Sequence, residues 1–232
     1  MEQTRDTTYD TLRREPLEFY VDKLKRNDYF SLARFGDGEL YCLWGAKGEN
    51  SNKCRYSPEL RKGLEESFRH KKDKKFIYGM QHVLPRDLKM AQSMYDVDWY
   101  DSEVFGEALA SGGLYPLIAQ LRVMNTVVIG NKDIKADVGR IFYNTHFIEV
   151  PASNALDVKD DVLKQCRALA PACFLFSCGM AANVFIADLH GLKKSFLIDL
   201  GHIWDPFTGN MSRCDLYGKT KEEIERNLYP NV

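Results

Sequence analysis

The second half of the chain carries four short apolar runs, TVVIG (126–130), HFIEVP (146–151), ACFLFSC (172–178) and SFLIDLG (195–201), with helical periodicity between them at 156–169 and 180–190. Runs this short, rich in β-branched and aromatic residues and bounded by turn residues, read as buried strands. Strands that alternate with helices form a mostly parallel sheet with helices on both faces, so the expected fold class is α/β.

The first half fits the same frame. Pro16 followed by LEFYVDKLKRN places Leu17, Tyr20, Val21 and Leu24 on one helix face, with proline near the first turn, where its missing N–H costs nothing. Tyr29 to Ala33 and Lys75 to Met80 read as strands. Ser57-Pro58-Glu59 has the form of an N-cap with proline at the first helical position, opening a helix to about Arg69. From 85 to 122 the pattern is less regular, with helical stretches at Leu88–Tyr95, Val104–Ala110 and Tyr115–Val123 broken by Asp-rich and Gly112-Gly113 segments. This section is expected to be an insertion over a site, within one domain spanning 1–232.

Composition narrows the function classes. With 32 basic and 33 acidic residues, the chain lacks the basic excess that drives non-specific nucleic-acid binding. The N-terminus has no apolar signal region and no stretch approaches a membrane span, so a cytoplasmic location is expected. Six cysteines (Cys42, Cys54, Cys166, Cys173, Cys178 and Cys214) form no CxxC pair, and they read as reduced thiols in apolar surroundings.

In open parallel sheets, ligands bind beyond the carboxyl ends of the strands. Four polar clusters follow predicted strands: Arg34 to Glu39, Asn131 to Arg140, Ser177 to Gly179, and His202 to Asp205. Asp37-Gly38-Glu39 reads either as a polar turn opening a helix or as a carboxylate pair for Mg²⁺ or Mn²⁺, which would take its other ligands from substrate phosphate and water. Arg34 has the planar donor fork for phosphate, or for a structural ion pair. Gly130-Asn131-Lys132 and Gly139-Arg140 form a loop and helix start suited to an anion, without a Walker A or GxGxxG pattern. Gly179 lets backbone N–H groups approach a ligand, or serves tight packing. His202 reads as base, phosphate donor or structural residue. His70, His82, His146 and His190 share no metal-ligand spacing and read as surface or capping residues.

Taken in order, RFGDGEL (34–40), VIGNKDIKADVGRIF (128–142), IEVPASNAL (148–156) and SCGMAANVFIADLHGLKKSFLIDLGHIWD (177–205) resemble the GT-D type glycosyltransferases, the bacterial family catalogued as domain of unknown function 1792. The resemblance implies a Rossmann-like fold, a UDP-sugar donor, and Mn²⁺ or Mg²⁺ held against the diphosphate by a D-x-E motif, here Asp37 and Glu39 beside Arg34 and Gly36. Asn154 and His202 match family positions expected to line the donor pocket. Asn131, Lys132, Arg140 and Gly179 complete the expected donor site, with Asp205 and His202 as candidate bases. SCGMAAN and DLGHIWDPF depart from the family pattern. The expected activity is hexose transfer to a hydroxyl acceptor, a glycan or glycoconjugate, with 85–122 on the acceptor side. Alternatives are a phage-type enzyme acting on hydroxymethylated DNA, with the basic run Arg61 to Lys75 as its phosphate contact, and a non-catalytic nucleotide-sugar-binding module.

Overall fold

The computed structural model describes residues 11–142 and 145–208, apart from the side chains at 136, 137, 140, 206 and 208. They build a seven-stranded sheet from β1 (Ser31–Phe35), β2 (Phe76–Met80), β3 (Trp99–Asp101), β4 (Thr126–Gly130), β5 (Thr145–Glu149), β6 (Cys173–Ser177) and β7 (Phe196–Asp199), in the order β3-β2-β1-β7-β6-β4-β5. Every pairing is parallel. The chain winds outward through β2 and β3, crosses to β4 and β5, and returns through β6 and β7. Its first and last strands therefore lie side by side.

Alternation along the strands supplies two cores. Ala33, Phe35, Tyr78, Ile129, Phe176 and Leu197 face one layer, made by α2 (Asp37–Leu43), α3 (Pro58–Ser67), α4 (Pro85–Met94), α8 (Lys159–Leu169) and α9 (Ala181–Leu189). Leu32, Ile77, Val128, Leu175 and Ile198 face the other, made by α1 (Leu17–Arg26), α5 (Val104–Ser111), α6 (Tyr115–Arg122) and α7 (Lys135–Ile141). Each large side chain so buried contributes about 1.5–3 kcal/mol, and none of β1, β2 or β4 exposes a residue.

The helix signals act as expected. Ser57 Oγ accepts the Leu60 N–H at 3.1 Å, with Pro58 opening α3. Strand β1 runs two residues later than the apolar pattern places it, because pairing with β2 continues to Arg34↔Gly79 and Phe35↔Met80. Meanwhile Tyr29 packs on the Phe196 ring outside the strand. Trp99–Asp101, paired with β2 on one side and bridged at Tyr100 by Arg13 on the other, is a strand that periodicity misses, since three residues leave too little alternation to read. It places part of the 85–122 segment within the sheet, while α5 packs under α1 through Tyr20 and Phe105. Trp99 is buried in the core. Cys42, Cys54, Cys166, Cys173 and Cys178 are free and buried, and Cys214 lies outside the described residues. Among the described residues no helix is long and apolar enough to cross a membrane.

Candidate active site

The strand order brings the ends of β2, β1, β7 and β6 together, and a cleft of 310 Å³ opens above them. Arg34, Gly36, Asp37, Glu39, Gly179, Asp199 and His202 line it. The loop before α3 walls one side with Asn50, Asn52 and Tyr56. Asn50 Oδ1 shapes that loop by accepting the backbone N–H groups of Asn52 and Cys54, each at 3.0 Å.

Arg34 is the organising residue. It is the fourth residue of β1, and its side chain is only 7% exposed. Room for it comes from two glycines. A Cβ on Gly201 would stand 2.2 Å from Arg34 Nη2, and one on Gly79 would stand 3.2 Å from Arg34 Cγ. Gly201 also has φ +51°, a left-handed conformation that favours glycine. The backbone carbonyl of Arg34 accepts from Asn183 Nδ2 of α9 at 2.8 Å, which ties the strand end to the helix layer.

The guanidinium is incompletely partnered. Asp199 Oδ1 lies 3.6 Å from Nη2, an ion pair beyond hydrogen-bond length. Arg34 Nε is buried and makes no hydrogen bond. A buried charged donor left open is costly, so such a group points to a ligand that completes it. Burial pushes the Asp199 carboxyl up, an effect partly offset by Arg34 and by the Gly201 N–H, which donates to Oδ1 at 2.9 Å.

The Asp37-Gly38-Glu39 triplet performs the capping role open to it. Gly36 is the N-cap of α2, and its N–H donates to Glu39 Oε2 at 2.8 Å. Asp37 is exposed and accepts its neighbour's N–H, from Gly38, at 2.7 Å. Capping does not explain the electrostatics. Burial raises the Glu39 carboxyl to about 7 against the opposing Gly36 hydrogen bond, and Asp199 and Asp37 push it further. Four carboxylates, Asp37, Glu39, Glu49 and Asp199, thus line the cleft with one buried cation, a charge set that suits a divalent ion with substrate phosphate and water as its other ligands. Among the described residues no group of three or more His, Cys, Asp or Glu side chains is arranged to hold an ion.

His202 is exposed on the rim of the cleft. Its Nδ1 is 3.1 Å from Asp205 Oδ2, and its Nε2 is 3.4 Å from Asn52 Nδ2. Asp205 is buried and does not line the cleft, so it supports His202 from behind. Beside these residues, fully buried Trp204 packs edge-on against Phe142 and anchors the turn. The opposite rim holds Gln81 and His82, which sequence reasoning left aside.

Other expected donor residues separate. Asn131 and Lys132 follow β4, two strands from β7, and do not line the cleft. Asn131 instead caps the following 3₁₀ turn by accepting the Asp133 N–H at 2.9 Å. The Arg140 side chain lies outside the described residues. Asn154 lines a neighbouring cleft of 410 Å³ that shares Met180 with the first. There its Oδ1 accepts the Arg55 N–H at 2.8 Å, pinning the wall between the two clefts. Asp199, buried at the last position of β7, was legible as an acidic residue ending an apolar strand, whereas Gly79 carried no local signal.

An α/β architecture built on an all-parallel sheet defines the fold class, and solved structures share that fold. A highly conserved domain of unknown function 1792, described as having a distinct glycosyltransferase fold, matches with TM-score 0.69 at 21% identity, over 90% of this chain and 83% of that one. A new glycosyltransferase of the same domain type from Streptococcus sanguinis matches with TM-score 0.68 at 18% identity, over 90% and 86%. The chain therefore has the fold of these glycosyltransferase-fold domains. No protein-family model and no curated protein sequence matches it.

Proposed function

We propose that this chain is a metal-dependent glycosyltransferase that moves a hexose from a UDP-sugar to a hydroxyl acceptor, a glycan or glycoconjugate. The observation that carries this reading is Arg34, a buried guanidinium with an unpartnered Nε in a cleft otherwise rich in carboxylates. A diphosphate would complete its donor set, and Arg is suited to such recognition by its planar fork. The shared fold supports the class of reaction.

Asp37 and Glu39 would hold Mn²⁺ or Mg²⁺, which would supply charge neutralisation at the departing diphosphate. Arg34 orients the phosphates and stabilises charge developing on the leaving oxygen. Asp199 holds the guanidinium without using its open Nε. His202, steadied by Asp205, stands where it can donate to a phosphate oxygen.

The glycan reading is favoured over DNA by the state of the basic run. Arg61 pairs with Glu65, Lys62 with Glu66, Arg69 with Asp188 and Lys71 with Asp96. Pairing of four of the seven cations in the run leaves less charge for a polyanion contact.

Thermal shift with UDP-glucose and UDP-galactose, with and without Mn²⁺, together with UDP release, tests the proposal. Stabilisation that needs both donor and metal, with UDP release, is expected. Binding without UDP release would instead indicate the non-catalytic module. No binding of either donor would sink the assignment.

A further inference from the structure

We infer that His82, held by Glu103, is the base that takes the proton from the acceptor hydroxyl. This inference rests on the transferase reading above and adds the acceptor half of its site.

Two independent observations single out His82. It lines the same cleft as Asp37 and Glu39, at the end of β2, on the far side of β1 from β7 and His202. Its backbone is left-handed, with φ +48°. Non-glycine residues adopt that conformation at a cost and cluster at functional sites when their surroundings hold them there.

Glu103 supplies the hold. Its Oε1 accepts the His82 backbone N–H at 2.6 Å and lies 3.0 Å from His82 Nδ1. One carboxylate therefore fixes both the strained backbone and the ring. Glu103 is fixed in turn, since its N–H donates to Asp101 Oδ1 at 3.0 Å, at the end of β3. Asp101 is buried, 3.8 Å from Arg14. The arrangement is a second histidine–carboxylate pair, its carboxylate supplied by the 85–122 segment, opposite the His202–Asp205 pair.

The chemistry follows from the tautomer. A carboxylate at Nδ1 accepts its proton and leaves the basic lone pair of the neutral ring on Nε2. The two histidines then divide the work. His202 stands beside Gly201 and Asp199, on the Arg34 side where a diphosphate would bind, and Asn52 Nδ2 approaches its Nε2. His82 stands across the Asp37–Glu39 turn, where an acceptor can approach the donor sugar. In the transfer step the acceptor oxygen bonds to the anomeric carbon, and its proton passes to His82 Nε2. The bond from that carbon to the diphosphate oxygen breaks, and its electron pair leaves on UDP. The imidazolium so formed sits against Glu103, in a cleft whose other charged or titratable groups are Arg34, Asp37, Glu39, Tyr41, Glu49, Tyr56, Asp199 and His202, and returns its proton to solvent.

The test uses the full chain with UDP-glucose or UDP-galactose and Mn²⁺, measuring donor Kd by calorimetry and kcat for UDP release with water as acceptor. His82→Gly retains the backbone N–H that Glu103 holds and suits the left-handed conformation, so it should fold with little change in Tm. Its kcat should fall about 10²–10³-fold, with Kd within about threefold, and added imidazole should restore at least about tenfold. Glu103, a positioning residue, should lose about tenfold in kcat as Glu103→Gln, again without loss of donor affinity. Release by His82→Gly within about threefold of wild type would overturn the inference. So would a loss that imidazole does not restore or that tracks a fall in Tm. If wild type binds neither UDP-sugar, the donor reading fails first and this inference with it. Donor binding that survives in every variant separates the two failures.

Discussion

The two ends of the sheet use the same residue types to opposite effect. At the N-terminal edge, Ser31 Oγ meets His190 Nδ1 at 2.8 Å, and His190 Nε2 meets Asp73 Oδ2 at 3.0 Å. Arg69 donates to the Ala187 carbonyl at 2.9 Å and to Asp188 at 2.7 Å. Lys159 adds a second cation to Asp188 at 2.6 Å. The serine, histidine and carboxylate groups here resemble a catalytic arrangement, yet Ser31 is buried in β1 and the groups satisfy one another. At the C-terminal edge, Arg34 has an open Nε, Glu39 is pushed up to about 7, and His82 holds a strained backbone. The contrast is one of met and unmet interactions, and it is the basis of the proposed site, because polar groups that complete one another stabilise a fold whereas those left open suit a ligand.

The largest test of this contrast is removal of the carboxylates proposed to hold the metal. Asp37→Asn and Glu39→Gln should each cut UDP release by about 10²-fold or more while the apo protein stays folded. EDTA should reproduce the loss reversibly. Turnover near wild type in both variants, measured at limiting Mn²⁺, would place the active site elsewhere.

Next comes the space kept for Arg34. Gly201→Ala puts a methyl within 2.2 Å of Nη2 on a left-handed backbone, so it should weaken donor affinity about tenfold or more and destabilise by about 1–3 kcal/mol. Calorimetry and denaturant unfolding read the two effects separately. Unchanged donor affinity would remove Arg34 from the donor site.

The N-terminal edge should behave in the opposite way. Burial pushes the Asp188 carboxyl up, but hydrogen bonds from Arg69 and Lys159 more than offset this and hold it below its ordinary value of 3.8. A depressed folded pKa gives stability that is present above 3.8 and is lost as pH falls through the folded value. Asp188→Asn should therefore lower Tm by a few degrees at neutral pH, a difference that narrows in acid, with kcat per folded molecule unchanged. A changed kcat would erase the distinction between the two ends.

The smallest effect concerns the stability cost of Glu39. Its folded pKa of about 7 lies above the ordinary 4.5, so stability is full below 4.5 and is lost as pH rises towards 7. In the apo protein, Glu39→Gln should raise Tm by a degree or two at pH 8, with no gain at pH 4.5. Equal Tm values at pH 8 would show that burial of this carboxylate carries no stability cost.

Much of this was readable before the structure. Ser57-Pro58 marked the start of α3, and RFGDGE marked the turn after β1, because caps and strand ends are set by neighbours in sequence. The acidic triplet was ambiguous for the same reason: capping and ligand binding ask for the same residues at a helix start. His82 looked like an ordinary surface histidine, since neither its φ nor its contact with Glu103, twenty-one residues later, leaves a local pattern. The loop after β4 was expected to complete the donor site, yet Asn131 caps a 3₁₀ turn outside the cleft.

By itself the sequence determined the alternation of strands and helices, the buried faces and the edge at which polar clusters gather. These follow from periodicity and capping, which act over a few residues. Only the tertiary structure decided which clusters meet. The order β3-β2-β1-β7-β6-β4-β5 sets β1 against β7, 165 residues apart by Ser31 and Phe196, and leaves β4 outside that junction. Strand order depends on long-range pairing and on how helices cover both faces, and no local pattern encodes it. The open Nε of Arg34 arises at that junction, from a side chain of β1 packed between glycines of β2 and of the turn after β7.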